Sequence, residues 1–362
     1  MFKERHEGDY MNILLTSAGR RGYLVEYFKK ALDGRGEVHV GNSTPLSPVF
    51  YYADKSVVTP LIYSEEYIPF LLRYCEENKI DAVISLFDVD LYMLAQRRDA
   101  FAERGVTVIV SAPEVILTCN DKWKTYCFCR EHGFLAPKTY CSLSEAKNAL
   151  AAGELSYPVI IKPRWGMGSI AIYQAENEEE LDVLARKVQR EIFASYLKYE
   201  SVFDKEECVL FQEKIAGQEY GLDIVHDLSG GHCLTVVREK IAMRSGETDC
   251  ARVLVDPRIE EVGTAVGRAL GHIGNLDMDV FVSGDQVYVL EMNARFGGGY
   301  PFSHLAGVNL PRAIVKWLSG EPLADELSVK YPGILAQKDI RMIDITECVS
   351  AFENGHKPCG RE

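Results

Sequence analysis

Glu291, Asn293 and Arg295 follow one another at a spacing of two near the end of the run 277–299. Side chains alternate along an extended strand, so this spacing points all three to one side. A carboxylate, an amide oxygen and a guanidinium at a buried strand end need partners, because buried charges are paired or hold a metal. A hard divalent cation takes oxygen ligands, which Glu291 and Asn293 offer. Arg295 cannot ligate a cation, but its fork suits the phosphate that such a cation brings. Val280–Val282 and Val287–Leu290 flank the turn-rich Ser283-Gly284-Asp285-Gln286, which predicts a hairpin. A loop of three residues, Gly284–Gln286, puts Asp279 opposite Glu291 on the same face; a two-residue loop puts it on the other. The plain alternative is an edge hairpin ending in a solvated Glu and Arg.

The stretch 157–175 has a similar density of chemistry. A strand ends at Lys162, Pro163 stops it, and Gly166-Met167-Gly168-Ser169 forms a glycine loop before a second strand, Ile170–Tyr173. Glycines let backbone N–H groups approach phosphates. The order strand–loop–strand excludes a Walker P-loop, which needs a helix and Gly-Lys-Ser/Thr. A lysine on the strand before a glycine lid is also how kinases hold nucleotide phosphates. Cys208–Glu213 and Glu219–Val225 read as strands joined by Lys214-Ile215-Ala216-Gly217-Gln218. Thr235–Met243 is a strand with Arg238 and Lys240 on one face, and Arg244 lies in the loop after it. Such cations suit an anionic substrate or a transferred phosphoryl group; a solvated charged face is the alternative. Gly297-Gly298-Gly299 brings backbone close to a phosphate or substrate.

These elements need a scaffold. Residues 11–115 alternate short apolar strands with amphipathic helices (Glu66–Asn78, Leu91–Arg104), which predicts a doubly wound parallel sheet. Gly19-Arg20-Arg21-Gly22 follows the first strand but lacks the full dinucleotide fingerprint, so NAD or FAD is disfavoured. Arg20 and Arg21 at a helix start suit a substrate carboxylate, or are solvated turn residues. Phe87-Asp88-Val89-Asp90 follows another strand end, where open sheets bind ligands; Asp90 is also a candidate helix cap. Asn120-Asp121-Lys122 opens a helix running to about His132. Glu178–Lys198 reads as a long helix, Ile259–Ile273 as an amphipathic one, and Asp339–Ile345 as a late strand.

The chain has 362 residues, 47% of them hydrophobic and 26% charged, with a net charge of −13. That size suits two or three subdomains. The acidity argues against general nucleic-acid binding and against an anionic membrane surface. No apolar run reaches the ~20 residues of a membrane span. Met1–Tyr10 is charged, which disfavours a signal peptide. Ten scattered cysteines without Cys-x-x-Cys fit reduced thiols and a cytoplasmic location.

Asp279 followed by Glu291-x-Asn293-x-Arg295 resembles the metal-binding end of the ATP-grasp fold, in the single-module branch that is similar to one half of a carbamoyl-phosphate synthase large subunit. The resemblance covers about 11–346 and implies a pre-ATP-grasp Rossmann-like domain (11–115), a connector helix (116–134), a lid subdomain (135–212), a metal-binding catalytic subdomain (213–346) and a polar tail (347–362). It implies ATP contacts from Lys122, Lys162, Gly166, Gly168 and Ser169, adenine against the backbone near Ile215, and ribose on Glu213 or Glu219. Mg²⁺ (or Mn²⁺) would be held by Asp279, Glu291 and Asn293. Arg295, Arg244 and Lys240 would serve catalysis; Arg20, Arg21, Asp88, Asp90, Arg238 and Gly298 would meet substrate. The implied activity is ligation of a small carboxylate to an amine through an acyl phosphate, one substrate being amino acid-like, by a possible homodimer with no nucleic-acid or membrane partner. Carbamoyl-phosphate-synthase-like phosphoryl transfer, phosphotransfer without ligation and a non-enzymatic ATP-binding role are the alternatives.

Overall fold

The computed structural model describes residues 10–202 and 204–353. The remaining parts of Met1–Tyr10 and of the expected tail, residues 1–9 and 354–362, lie outside the described residues. Five short strands, β1 (Asn12–Thr16), β2 (Val38–Asn42), β3 (Lys55–Val58), β4 (Ile80–Ser85) and β5 (Thr107–Val108), form one sheet in the order β3-β2-β1-β4-β5. All its pairings are parallel. Parallel sheets need crossovers that cover their faces, so β1 is buried along its whole length. Helices Gly22–Leu32 and Tyr67–Glu77 each turn an apolar stripe inward. The chain runs outward from β1 to β3, then returns to β4 on the other side of β1. The loops after β1 and β4 therefore meet at a switch point. Arg21, after β1, donates a hydrogen bond to the Leu86 carbonyl, after β4.

A small antiparallel sheet follows: β6 (Thr139–Tyr140), β7 (Val159–Pro163), β8 (Tyr173–Ala175) and β9 (Val209–Glu213), in the order β6-β9-β7-β8. Helix Glu178–Ala194 covers it with Leu181, Ala185, Val188 and Ile192, a helical repeat capped by Asn177. The large sheet is antiparallel: β10 (Gln218–His226), β11 (His232–Arg244), β12 (Glu247–Leu254), β13 (Gly274–Ser283), β14 (Gln286–Asn293) and β15 (Leu335–Gln337), in the order β14-β13-β10-β11-β12-β15. Thus the fold mixes α/β and antiparallel α+β parts.

One core joins the first sheet to the large one. Leu14, Leu71 and Val83 share it with Leu222, Met278 and Met292, bridged by Val115, Ile116 and Cys119 of helix Pro113–Asn120. The small sheet has a core of its own around Val159, Leu181 and Phe211. Two parts are therefore welded, and the third is packed separately.

Several elements differ from expectation. The late strand is Leu335–Gln337, not Asp339–Ile345; it is an exposed edge with no buried side chain to give an apolar period. Ile170 belongs to a turn, and the strand after the glycine loop starts at Tyr173. Leu91–Arg104 is two helices, Asp88–Gln96 and Arg98–Ala102, meeting at Arg97. The long helix ends at Ala194, and Lys198–Ser201 is a separate turn of helix. Thr346–Glu353 is helical although it buries nothing fully. Among the described residues Cys75, Cys119, Cys127, Cys129, Cys141, Cys208, Cys233 and Cys250 are free thiols, and no helix is long and apolar enough to cross a membrane.

Candidate active site

The hairpin loop has two residues. Ser283 pairs with Gln286, so regular pairing would carry Asp279 away from the Glu291 face. A bulge corrects this. Val280 pairs with Val289 but Asp279 pairs with Glu291, leaving Leu290 extra. Burial switches phase there: Val287 and Val289 point to the core, then Met292 does. Asp279 thus faces Glu291, as expected, but through a bulge rather than a three-residue loop. The same register sets Asp277 opposite Asn293; that acid was missed.

Lysines answer these carboxylates. Lys240, on β11, lies 2.6 Å from Asp279 and 2.7 Å from Glu219. Burial alone would lower its pKa, but the two acids win and raise it. Burial lifts Asp279 above the usual carboxylate range against the pull of Lys240, with Asp277 and Glu291 adding repulsion. Glu291 stays below the usual carboxylate range despite its burial, because Lys122, Lys162 and Lys240 surround it. Among the described residues no three His, Cys, Asp or Glu side chains are grouped to hold a metal by themselves. Two crowded acids and the Asn293 amide nevertheless fit a hard cation that draws its other ligands from phosphates and water.

Asp121 caps helix Lys122–Glu131 and takes two bonds from Arg164, of 2.9 and 2.8 Å. This pair, also missed, pins the helix start to the small sheet. It aims Lys122 at the Gly166 carbonyl, with Glu291 at 3.8 Å. Gly166 needs its glycine: φ is +98°, and a Cβ would lie 2.3 Å from Leu197. Lys162 is buried on β7 and bonds Gln212 at 2.8 Å. Burial, then the charge on Lys122, lowers it to about 8.

Lys122, Lys162, Gly166, Gly168, Ser169, Glu213, Ile215, Glu219, Lys240, Asp279 and Glu291 line one cleft of about 740 Å³ between the small and large sheets. Apolar walls come from Ile160, Ile172, Met243, Phe281 and Leu290. This is the volume and character of a small-molecule site.

Other expected residues are placed differently. Arg295 is buried and fully engaged: it bonds Asp88 at 2.9 Å, Asp277 at 3.2 Å and the Phe296 carbonyl at 3.3 Å. Arg238 is sealed among Asp223, Ser303 and Asp277. Arg244 pairs with Asp249 and lines no part of the cleft. Asp90 is not a substrate contact or a cap: it is fully buried and accepts bonds from Thr16, Ser17, Tyr67 and Ser85. Arg20 is exposed. The Gly297–Gly299 run is crowded by the protein itself. A Cβ would lie 2.1 Å from Asp277 at Gly297, 3.0 Å from Glu247 at Gly298 and 2.8 Å from Arg238 at Gly299.

Residues 119–299 match the ATP-grasp domain. The chain belongs to the ATP-grasp family. Members of this family are enzymes that form carbon–nitrogen bonds. Residues 13–109 match the PylC-like N-terminal domain. The carbamoyl phosphate synthase large chain of Halobacterium salinarum is 32% identical over 186 residues, 48% of this chain but only 16% of that protein. Among solved structures, the biotin carboxylase domain of Hydrogenobacter thermophilus 2-oxoglutarate carboxylase, in complex with MgADP, ADP and bicarbonate, superposes with a TM-score of 0.70. It is 18% identical, covering 87% of this chain and 71% of that one. L-amino acid ligase from Bacillus licheniformis gives 0.67 at 20% identity, over 89% and 78%. These structural likenesses speak to the fold.

A phosphate-holding role for Lys162, proposed below, would make ATP binding pH-dependent. Below about 8 the lysine is already charged. Above it, charging Lys162 for the phosphates requires a proton. ATP affinity is therefore expected to fall as pH rises past that value, with uptake of about one proton per ATP. Titration calorimetry in two buffers of different ionisation enthalpy measures the uptake; none at alkaline pH would refute it.

Proposed function

We propose that the protein is a carboxylate–amine ligase driven by MgATP. The carrying observation is the cleft itself: the lysines, the glycine loop and the acid pair converge between two sheets, and a smaller space beside them reaches Asp88, which follows β4 of the first sheet. In this reading Lys162, Lys122 and the Gly166–Ser169 backbone hold the phosphates. Ile215 and Glu213 or Glu219 hold the nucleoside. Asp279, Glu291 and Asn293 would hold Mg²⁺, which would neutralise phosphate charge. A substrate carboxylate displaces ADP from the γ-phosphorus while Lys122 and Lys240 offset the spreading charge. An amine then displaces phosphate from the acyl phosphate, leaving an amide. Burial beneath the glycine loop keeps water from the activated acyl group. The eight free cysteines from Cys75 to Cys250 accord with a reducing, cytoplasmic setting.

The test is ADP release over a panel of amino acids and small carboxylates, with hydroxylamine to trap acyl phosphates as hydroxamates. A hydroxamate from one carboxylate, and an amide once an amine replaces hydroxylamine, are expected. A stable phosphorylated acceptor as sole product would reject ligation. It would favour the phosphoryl-transfer reading that similarity to the carbamoyl phosphate synthase chain suggests.

A further inference from the structure

Beside the main cleft, and sharing Lys122, Gly166, Met167 and Glu291 with it, lies a second, much smaller space. Asp88, Asn120, Lys122, Glu200, Glu291 and Asn293 help to line a chamber of about 10 Å³, the room of about one water-sized group. Two of its walls carry buried acceptors with no hydrogen-bond partner among the described residues, Asp88 Oδ1 and Asn120 Oδ1. Asp88 is 4% exposed, and its other oxygen is taken by Arg295 at 2.9 Å. Asn120 donates its amide to the Asp88 carbonyl at 2.9 Å, which leaves its oxygen to accept. Such groups call for a donor.

The third wall is brought by the lid. Tyr199, on helix Lys198–Ser201, stacks on Tyr63 of the first domain at 4.0 Å, and Tyr196 meets Phe87 at 6.3 Å. These contacts carry Glu200 over the chamber. An anion there would meet the carboxylates of Asp88, Glu200 and Glu291. A compact cation with three N–H donors matches the acceptors.

We propose that this chamber receives the amino nitrogen of the second substrate, and that Glu200 is the base that takes its proton. The inference rests on the ligase reading above and narrows it: the second substrate is ammonia or a primary amine, which enters before the lid closes. In the step, the ammonium first gives one proton to the Glu200 carboxylate, and the lone pair so freed forms the C–N bond to the acyl carbon. The C–O bond to phosphate breaks, and phosphate leaves with its electron pair. A second proton leaves the nitrogen with the departing phosphate, and Glu200 returns the first to solvent. Burial, with Asp88 and Asp121 adding and Lys122 opposing, lifts Glu200 to about 7, a suitable value for this task. Tyr63 and Tyr196 also face it, both held neutral by burial.

The experiment compares the full chain with Glu200→Gln, using MgATP and the carboxylate found in the hydroxamate screen. The nitrogen donors are ammonium chloride, methylamine, the common amino acids and hydroxylamine. Hydroxylamine is uncharged at neutral pH and needs no base. For the amine, kcat/KM of Glu200→Gln is expected to fall by about 10²-fold or more. The rise of the wild-type rate with pH through about 7 is expected to vanish. Hydroxamate formation is expected to stay within about twofold, which also shows that the variant folds and closes. An unchanged amine kcat/KM with the same pH rise would mean that the chamber holds only water. Parallel loss of amide and hydroxamate would make Glu200 a structural part of the lid. Either result overturns the proposal. A wild-type protein forming no hydroxamate with any carboxylate would reject the ligase reading, and this proposal with it.

Discussion

Glu291→Gln is expected to lower MgATP-dependent ADP release by at least about two orders of magnitude while leaving the protein folded. Glutamine keeps the volume and one oxygen but removes the charge. That charge faces Lys122 at 3.8 Å and shares a face with Asp279. Without it the cluster of lysines is under-compensated, and a bound cation would lose its proposed anionic ligand on β14. The loss should persist at saturating Mg²⁺ if Glu291 acts on the transferring phosphoryl group and not only on metal affinity. Steady-state ADP release at increasing Mg²⁺ measures this, with circular dichroism as the control for folding. Turnover near that of the wild type at saturating Mg²⁺ would remove Glu291 from the metal set.

Arg295→Ala is expected to cost about 3–5 kcal/mol of stability, because it strands buried carboxylates. Arg295 is 8% exposed and joins Asp88 of the first domain to Asp277 of the large sheet. The first sheet and the large sheet share a core, so the loss should appear in their common unfolding transition. Arg295→Lys should recover only part, since one ammonium cannot reproduce the fork that holds both acids. Urea unfolding followed by tryptophan fluorescence reports both values. A loss under about 1 kcal/mol would show that solvent reaches the site freely. The residue first read as a phosphate clamp is, in this structure, a tie between domains. Any contact with phosphate requires it to release one of its acids.

Much of this was legible in the sequence because the signals were local. Spacing of two placed Glu291 and Asn293 on one face. Lysine, proline and glycines at 162–168 marked a strand followed by a tight loop. The alternation of strand and helix before residue 115 showed a parallel sheet. What failed was non-local. Asp90 looks like a cap or a ligand until Thr16, Ser17 and Tyr67 close around it from other elements. Gly297–Gly299 looked like a phosphate cradle, but its missing side chains make room for Asp277, Glu247 and Arg238. Asp277, Arg164 and Glu200 carried no motif; their partners lie on distant segments. The bulge did leave a trace. The apolar positions change parity between Val289 and Met292, and a regular strand does not do that.

Leu290 also bears on how related chains should be compared. The turn and the bulge each shift the hairpin by one residue, in opposite senses. A relative with one more residue in its turn and one fewer at the bulge would present carboxylates in the places of Asp279 and Glu291 to the cleft. A column-by-column alignment without gaps would then set its acids against the wrong neighbours across the whole segment between the two changes. The two indels are a compensating pair. Homology searches around this hairpin need to score them together, or they will discard competent sequences as lacking a ligand.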